Sequence, residues 1–261
     1  MKEKILHVDA FTKNPFTGNP AAVCFPEQDR GDDWLQSVAA EMNLSETAFL
    51  QETDDGYRLR WFTPTVEVDL CGHATLASAH VLFSEGYVTE DSIRFQTRSG
   101  VLTAMKRDEW IELDFPTHVL EDAVPPQELI DALGIHPIAS RKISFAYLLE
   151  VGSEEEVRGL APDFRAMVEA TDQAAMVTAR SSNADYDFVS RFFAPFVGID
   201  EDPVTGSAHC ALGPYWMQQL GKTEFLAHQA SDRGGVVGVQ VEGERTKLRG
   251  QAVTVLRGEL G

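Results

Sequence analysis

Apolar and polar side chains alternate from the start of the chain, with Ile5, His7, Asp9 and Phe11 on one face and Leu6, Val8 and Ala10 on the other. That period of two predicts a strand. The turn formers Asn14 to Pro20 follow, and Ala21 to Phe25 then read as a buried strand. Trp34, Leu35, Val38, Ala39 and Met42 recur at helical spacing behind Asp32 or Asp33 as the capping residue. Further strands are predicted from Thr47, at 57–62, 92–95, 102–105 and 110–115. Gly72 to Phe83 differs from all of these, because it is small, apolar on every side and free of charge, and Gly86 stops it. A helix apolar all round is a buried helix, and a buried helix among strands implies a sheet wrapped around it.

The second half repeats the plan. Pro125 and Pro126 precede a short helix from Gln127 to Leu133 that stops at Gly134. Strands are predicted at 144–151, 174–178 and 187–193, with a helix at 163–170 between the first two. A second low-charge helix starts near Gly206 and ends at Gly221, Pro214 marking a kink or falling near its first turn. The tail, 234–258, reads as two or three strands, the last a candidate to return to the first half. The echo is literal at one place. Arg60-Trp61-Phe62-Thr63-Pro64-Thr65-Val66-Glu67-Val68-Asp69 and Arg191-Phe192-Phe193-Ala194-Pro195-Phe196-Val197-Gly198-Ile199-Asp200 share the pattern Arg-aromatic-Phe-x-Pro-x-Val-x-aliphatic-Asp. Gly72-His73-Ala74 is then matched by Gly206-Ser207-Ala208, after three extra residues placed between Asp200 and Gly206. The chain therefore reads as two copies of one unit, divided as 1–117 and 118–261.

Composition narrows the function. With 41 acids against 22 Lys and Arg, the net charge is −19, which argues against nucleic acid or an anionic membrane as partner. No stretch approaches the ~18 apolar residues of a membrane span, and the N-terminus meets an acid too early for a signal peptide. Cys24, Cys71 and Cys210 are few and widely spaced, which fits a reducing cytoplasm. Glycine-rich phosphate loops and Cys-x-x-Cys pairs are absent, and neither Cys71-Gly72-His73 nor His209-Cys210 has zinc-site spacing. No cofactor or metal is expected.

The candidate chemistry lies where the repeat is matched and where it departs. Gly72 and Gly206 each open a buried helix, whose unpaired N–H groups and partial positive charge suit a carboxylate. His73 and Ser207 occupy matched positions after those glycines. Asp69 and Asp200 read as caps on the turn into each helix, whereas Asp202 falls in the extra residues and has no counterpart. Glu46 sits between Ser45 and Thr47 just before an apolar strand, and the equivalent strand of the second half carries no acid.

Four stretches in order resemble the phenazine-biosynthesis isomerase family, the PhzF-like proteins. They are Asp9-Ala10-Phe11 with Phe16-Thr17-Gly18-Asn19-Pro20-Ala21-Ala22-Val23, then Asn43-Leu44-Ser45-Glu46-Thr47-Ala48-Phe49, Asp69-Leu70-Cys71-Gly72-His73-Ala74-Thr75, and Glu201-Asp202-Pro203-Val204-Thr205-Gly206-Ser207-Ala208. The resemblance implies an α+β, diaminopimelate-epimerase-like fold. Two pseudo-symmetric domains, each a curved, mainly antiparallel sheet around a central helix, would hold the active site between them. It further implies cofactor-independent proton-shift isomerisation of a small carboxylate-bearing molecule, usually in homodimers. Glu46 matches the family's acid/base, and His73, Asp202 and Ser207 match catalytic positions. Asn19, Ser45, Gly72, Ala74, Gly206 and Ala208 match substrate-binding ones. Epimerase relatives place a cysteine at each helix start, but here Cys71 is answered by Thr205, so two-thiol racemisation is not expected. The alternative is a ligand-binding or protein-interaction module that kept the fold and lost turnover.

Overall fold

The computed structural model describes residues 3–261. The chain divides into two units, one running up to Asp114 and regaining Arg249–Gly261, the other spanning Phe115–Leu248. No helix among the described residues is long and apolar enough to cross a membrane.

In the first unit the elements run β1 (Glu3–Ala10), β2 (Asn19–Phe25), α1 (Asp32–Met42), β3 (Glu46–Thr53), β4 (Gly56–Phe62), β5 (Glu67–Val68), α2 (Gly72–Ser84), β6 (Ser92–Thr97), β7 (Gly100–Arg107) and β8 (Trp110–Pro116). Strand β1 is antiparallel to β2, β2 parallel to β3, β3 antiparallel to β4, β4 parallel to β6, and β6 antiparallel to β7. The uncharged sequence of α2 is explained by its surroundings, since it lies against β1, β2, β3 and β7 and nine of its thirteen residues are buried. Helix α1 is amphipathic instead. It sets Leu35, Val38 and Ala39 on Ile5, Ala22, Cys24, Phe49 and Phe62. Its cap is Gly31, and no side chain completes it; Asp32 turns to Arg60 at 2.9 Å.

The second unit runs β9 (Glu121–Asp122), α3 (Gln127–Leu133), β10 (Ala139–Ile143), β11 (Ala146–Glu150), α4 (Glu154–Arg158), α5 (Phe164–Ala170), β12 (Ala174–Arg180), β13 (Phe188–Phe193), a 3-10 turn at Pro195–Val197, α6 (Gly206–Leu220), β14 (Glu224–Gln229), β15 (Gly235–Glu242) and β16 (Arg245–Gly250). The last strand, β17 (Ala252–Leu260), pairs antiparallel with β1 and so belongs to the first unit. From β10 to β15 the pairing is antiparallel, parallel, antiparallel, parallel, antiparallel. This is the order found from β1 to β7, so the sequence repeat is a repeat of topology.

Pro214 lies well inside α6 and does not end it. A proline there donates no N–H to the carbonyl four residues back. The carbonyl left over, that of Cys210, accepts the His118 N–H at 3.1 Å. One residue earlier, Gly213 lets α6 settle on β15, because a Cβ at that position would lie 2.8 Å from Val239 Cγ1 and 3.0 Å from Val241 Cγ2.

The shared motif makes the same bond twice. Arg60 donates from Nε and an Nη to Glu67, both at 2.7 Å, and Arg191 does the same to Glu201, both at 2.7 Å. Planar guanidinium against carboxylate is a strongly directional pair. Glu201 is therefore the partner of Glu67, and Asp202, whose N–H bonds Phe192, is the counterpart of Val68, which pairs with Trp61. The three extra residues fall earlier than the sequence suggested, in the 3-10 turn before Ile199. Asp202 is a replacement on the shared frame, not an insertion.

Candidate active site

Glu46, His73, Cys71, Asn19 and Ser45 come together in the first unit. Asn43 adopts a left-handed conformation at φ 49° to end α1, and three residues later β3 begins with Glu46, in parallel register with Ala21 of β2. Its side chain is 14% exposed, and Oε2 lies 3.0 Å from His73 Nε2. The contact lacks the alignment that a hydrogen bond requires, so Oε2 is buried with no hydrogen-bond partner.

His73 is the second residue of α2 and is buried. Its Nδ1 faces the side-chain amide of fully buried Asn19, with Nδ2 at 3.2 Å. Ser45 donates to Asn19 Oδ1 at 3.4 Å. Asn19 owes its place to the turn before it. Gly18 sits at φ 69°, where a Cβ would meet the Ala10 carbonyl oxygen at 2.2 Å, and buried Asp9 holds the Phe16 N–H at 2.7 Å.

Cys71 caps α2 with extended backbone, its Sγ 3.6 Å from His73 Nδ1 and 4.0 Å from Nε2. Thr75 donates its hydroxyl to the Cys71 carbonyl at 2.6 Å. Burial pushes the Cys71 thiol up, and the Glu46 charge adds to it. Burial alone would lower His73, but Cys71 and Glu46 outweigh it and carry the imidazole well above its usual range. One carboxylate, one thiol and one imidazole thus share a largely buried cluster, with donor atoms all within 4.8 Å of one another. Spacing in the sequence did not reveal this trio, because its carboxylate arrives from another strand.

The second unit carries a different set. Thr205 caps α6 with extended backbone and donates its hydroxyl to Asp202 Oδ2 at 2.5 Å. Gln229, fully buried on β14, accepts the Thr205 N–H at 2.8 Å and donates to the Asp202 carbonyl at 2.7 Å. That residue was missed in the sequence. The available signal was its phase, since it shares the buried side of β14 with Phe225 and Ala227, where a polar amide needs partners. Ser207 is exposed in the first turn of α6, while Gly206 and Ala208 are buried. Asp69 and Asp200 are not caps: the residues capping α2 and α6 are Cys71 and Thr205, and Asp69 is exposed near Arg98.

Register translates one set into the other. Ala48 pairs with Trp61 and Met176 with Phe192, so Glu46 corresponds to Ala174, as His73 does to Ser207 and Cys71 to Thr205. Among the described residues the second unit has no counterpart of the Glu46–His73 pair.

Residues 8–258 match the family model for PhzC-PhzF, phenazine biosynthesis-like proteins. The chain is 55% identical to an uncharacterized isomerase of Halalkalibacterium halodurans, over all of this chain and 99% of that one. It is 46% identical to an uncharacterized isomerase of Pseudomonas aeruginosa, with the same coverage. The crystal structure of a PhzF-family phenazine biosynthesis protein from Enterococcus faecalis superposes with a TM-score of 0.95 at 41% identity, covering both chains fully. A probable proline racemase from Agrobacterium radiobacter, 13% identical with a TM-score of 0.63 over 99% of this chain and 93% of that one, shares the α+β fold alone.

Proposed function

This chain belongs to the phenazine biosynthesis-like PhzC-PhzF family, and on that premise we propose a cofactor-independent isomerase in which Glu46 is the acid/base. Relatives that carry isomerase names support the reaction class. The observation that carries the finer reading is Glu46 itself, a half-dry carboxylate 3.0 Å from an imidazole and present in one copy of a duplicated frame.

The proposed substrate is a small molecule bearing a carboxylate. The net charge of −19 repels such an anion weakly at a distance, and the unpaired N–H groups at the start of α2 attract it locally. Glu46 takes a proton from one carbon as the C–H electrons enter a conjugated system, then returns it to another carbon. No electrons leave the molecule, so no redox partner is needed. A group that both takes and gives a proton works best when burial and neighbours hold its acidity close to that of the medium. His73 Nε2 stands 3.0 Å from the carboxylate as its charge partner, and Asn19 positions His73 at Nδ1. Asp202 and Ser207 are proposed as further catalytic residues. The three buried cysteines fit a cytoplasmic protein, and a homodimer is the proposed assembly.

Incubation of the protein in D2O with a panel of small unsaturated and β,γ-functionalised carboxylic acids, read by mass spectrometry, tests this. One acid is expected to gain deuterium, and Glu46→Gln is expected to slow that exchange by about 10²–10⁴-fold. Undiminished exchange by the variant would remove Glu46 from the mechanism. Binding of an acid with no exchange by the wild type would leave a binding module.

A further inference from the structure

Three of the side-chain donors gathered around His73 differ in chemistry: a carboxylate oxygen, a thiol sulfur and an imidazole nitrogen. Such a mixture suits thiophilic borderline cations better than Mg2+ or Ca2+, which take oxygen alone. The donors come from the first residue of β3 and from the cap and first turn of α2, elements whose backbones are fixed by strand register and helix bonding. Glu46 and His73 side chains are 14% and 7% exposed, and Cys71 is buried, so the trio is already largely free of water.

The spacing fits a single ion. In a tetrahedral zinc site the bond lengths place neighbouring nitrogen, oxygen and sulfur donors roughly 3.3–3.6 Å apart. Here Nε2 lies 3.0 Å from Glu46 Oε2 and 4.0 Å from Cys71 Sγ, values that straddle that range, and all three donors fall within 4.8 Å. Small side-chain rotations equalise them. Glu46 Oε2 has no hydrogen bond to give up on doing so. A thiolate and a carboxylate would together neutralise a divalent charge, which removes the main obstacle to placing it in a buried pocket. Two protons are released, one from the Cys71 thiol and one from the His73 imidazolium, and both pass to solvent. Asn19 then has a supporting part: with its amide turned to present Oδ1 it would accept Nδ1–H and orient the ring, the usual outer partner of a metal-bound histidine.

We propose that Glu46, Cys71 and His73 form a binding site for a thiophilic divalent cation of the Zn2+ class, and that its occupancy blocks the protein. The second half rests on the role of Glu46 as the base, because a carboxylate engaged by a cation no longer accepts a proton from carbon. Three protein donors leave a fourth position open, as in exchangeable zinc sites rather than closed structural ones. The ion is therefore a reversible inhibitor and not a fold-holding element.

The test uses Zn2+ alone, titrated calorimetrically into chelator-washed full-length protein, with Co2+ as an optical probe. One ion per chain is expected, and Co2+ is expected to give thiolate charge-transfer absorption. Cys71→Ser should abolish that absorption and weaken Zn2+ on the order of 100-fold or more, Glu46→Gln should weaken it less, and Cys24→Ser should change neither. Circular dichroism of each variant separates ligand loss from misfolding. The site is overturned if Zn2+ binds Cys71→Ser as it binds the wild type, or does not bind the wild type at all. If Zn2+ binds with these ligand dependences while deuterium exchange continues unslowed, the ion site stands and Glu46 is not the base.

Discussion

Thr75 and His209 hold equivalent places in α2 and α6, and each bonds the carbonyl of its helix cap, at 2.6 Å and 2.8 Å. Only the histidine titrates. Its ring is fully buried and stacked on Phe188, Nδ1 is committed to Thr205, and Nε2 has no hydrogen-bond partner. Burial lowers its pKa from 6.5 to about 4. The unfolded chain takes up the proton near pH 6.5 and the folded chain holds out to about 4, so this contribution is complete above pH 6.5 and is lost as pH falls toward 4. It amounts to about 3 kcal/mol. His80, also lowered to about 4 by burial, acts in the same direction. Urea unfolding measured from pH 7 to pH 4 is expected to show a His209→Thr variant that is less stable at neutral pH but has a shallower decline. At this scale the sequence named Asn19, Glu46 and His73 with the help of the family resemblance and was silent about Gln229. Glu46 and His73 stand out because burying them needs a reason, whereas Gln229 is one unremarked polar residue at a buried phase whose partners, Asp202 and Thr205, lie more than twenty positions away.

Helices α2 and α6 were legible because their lack of charge has a single physical explanation, burial on all sides. Helix α4 was not. It has five residues, too few for a period to declare itself, and its start depends on Ser153 accepting the Glu156 N–H at 3.2 Å. Strand β10 escaped for a related reason: it is partly exposed along most of its length and lacks the apolar alternation of its neighbours. The fate of Pro214 was equally hidden, since the acceptor it frees is matched by a donor from His118, far away in sequence. The close seat of α6 on β15 gives a prediction for the element. Gly213→Ala gains about 1 kcal/mol of helix propensity but drives a methyl into Val239 and Val241, an overpacking cost of about 1–3 kcal/mol. A net loss of about 1 kcal/mol is expected in thermal unfolding. The double variant with Val239→Ala should show less than the sum of the two single losses, because the shortened side chain relieves the clash.

Across the whole chain, duplication was readable from ten residues around Arg60 and Arg191, and the same bidentate pairs recur at Glu67 and Glu201. The position of the extra residues was not readable, because Asp200 matches the motif by type while Glu201 matches it by bonding. The unit boundary follows contacts rather than the midpoint of the sequence, since β17 covers β1 from Glu3 to Ala10. Removal of residues 252–261 is expected to strip one whole ladder from β1 and to lower the stability of the first unit far more than that of the second. Limited proteolysis should then cut within residues 3–114 well before 115–248. That seam has a consequence for how the protein is made. A ribosome works from the amino end, yet the strand that finishes the leading half is made after every strand of the trailing half. The trailing half has all its strands in hand sooner, and the earlier-born half must wait for β17 before it can close.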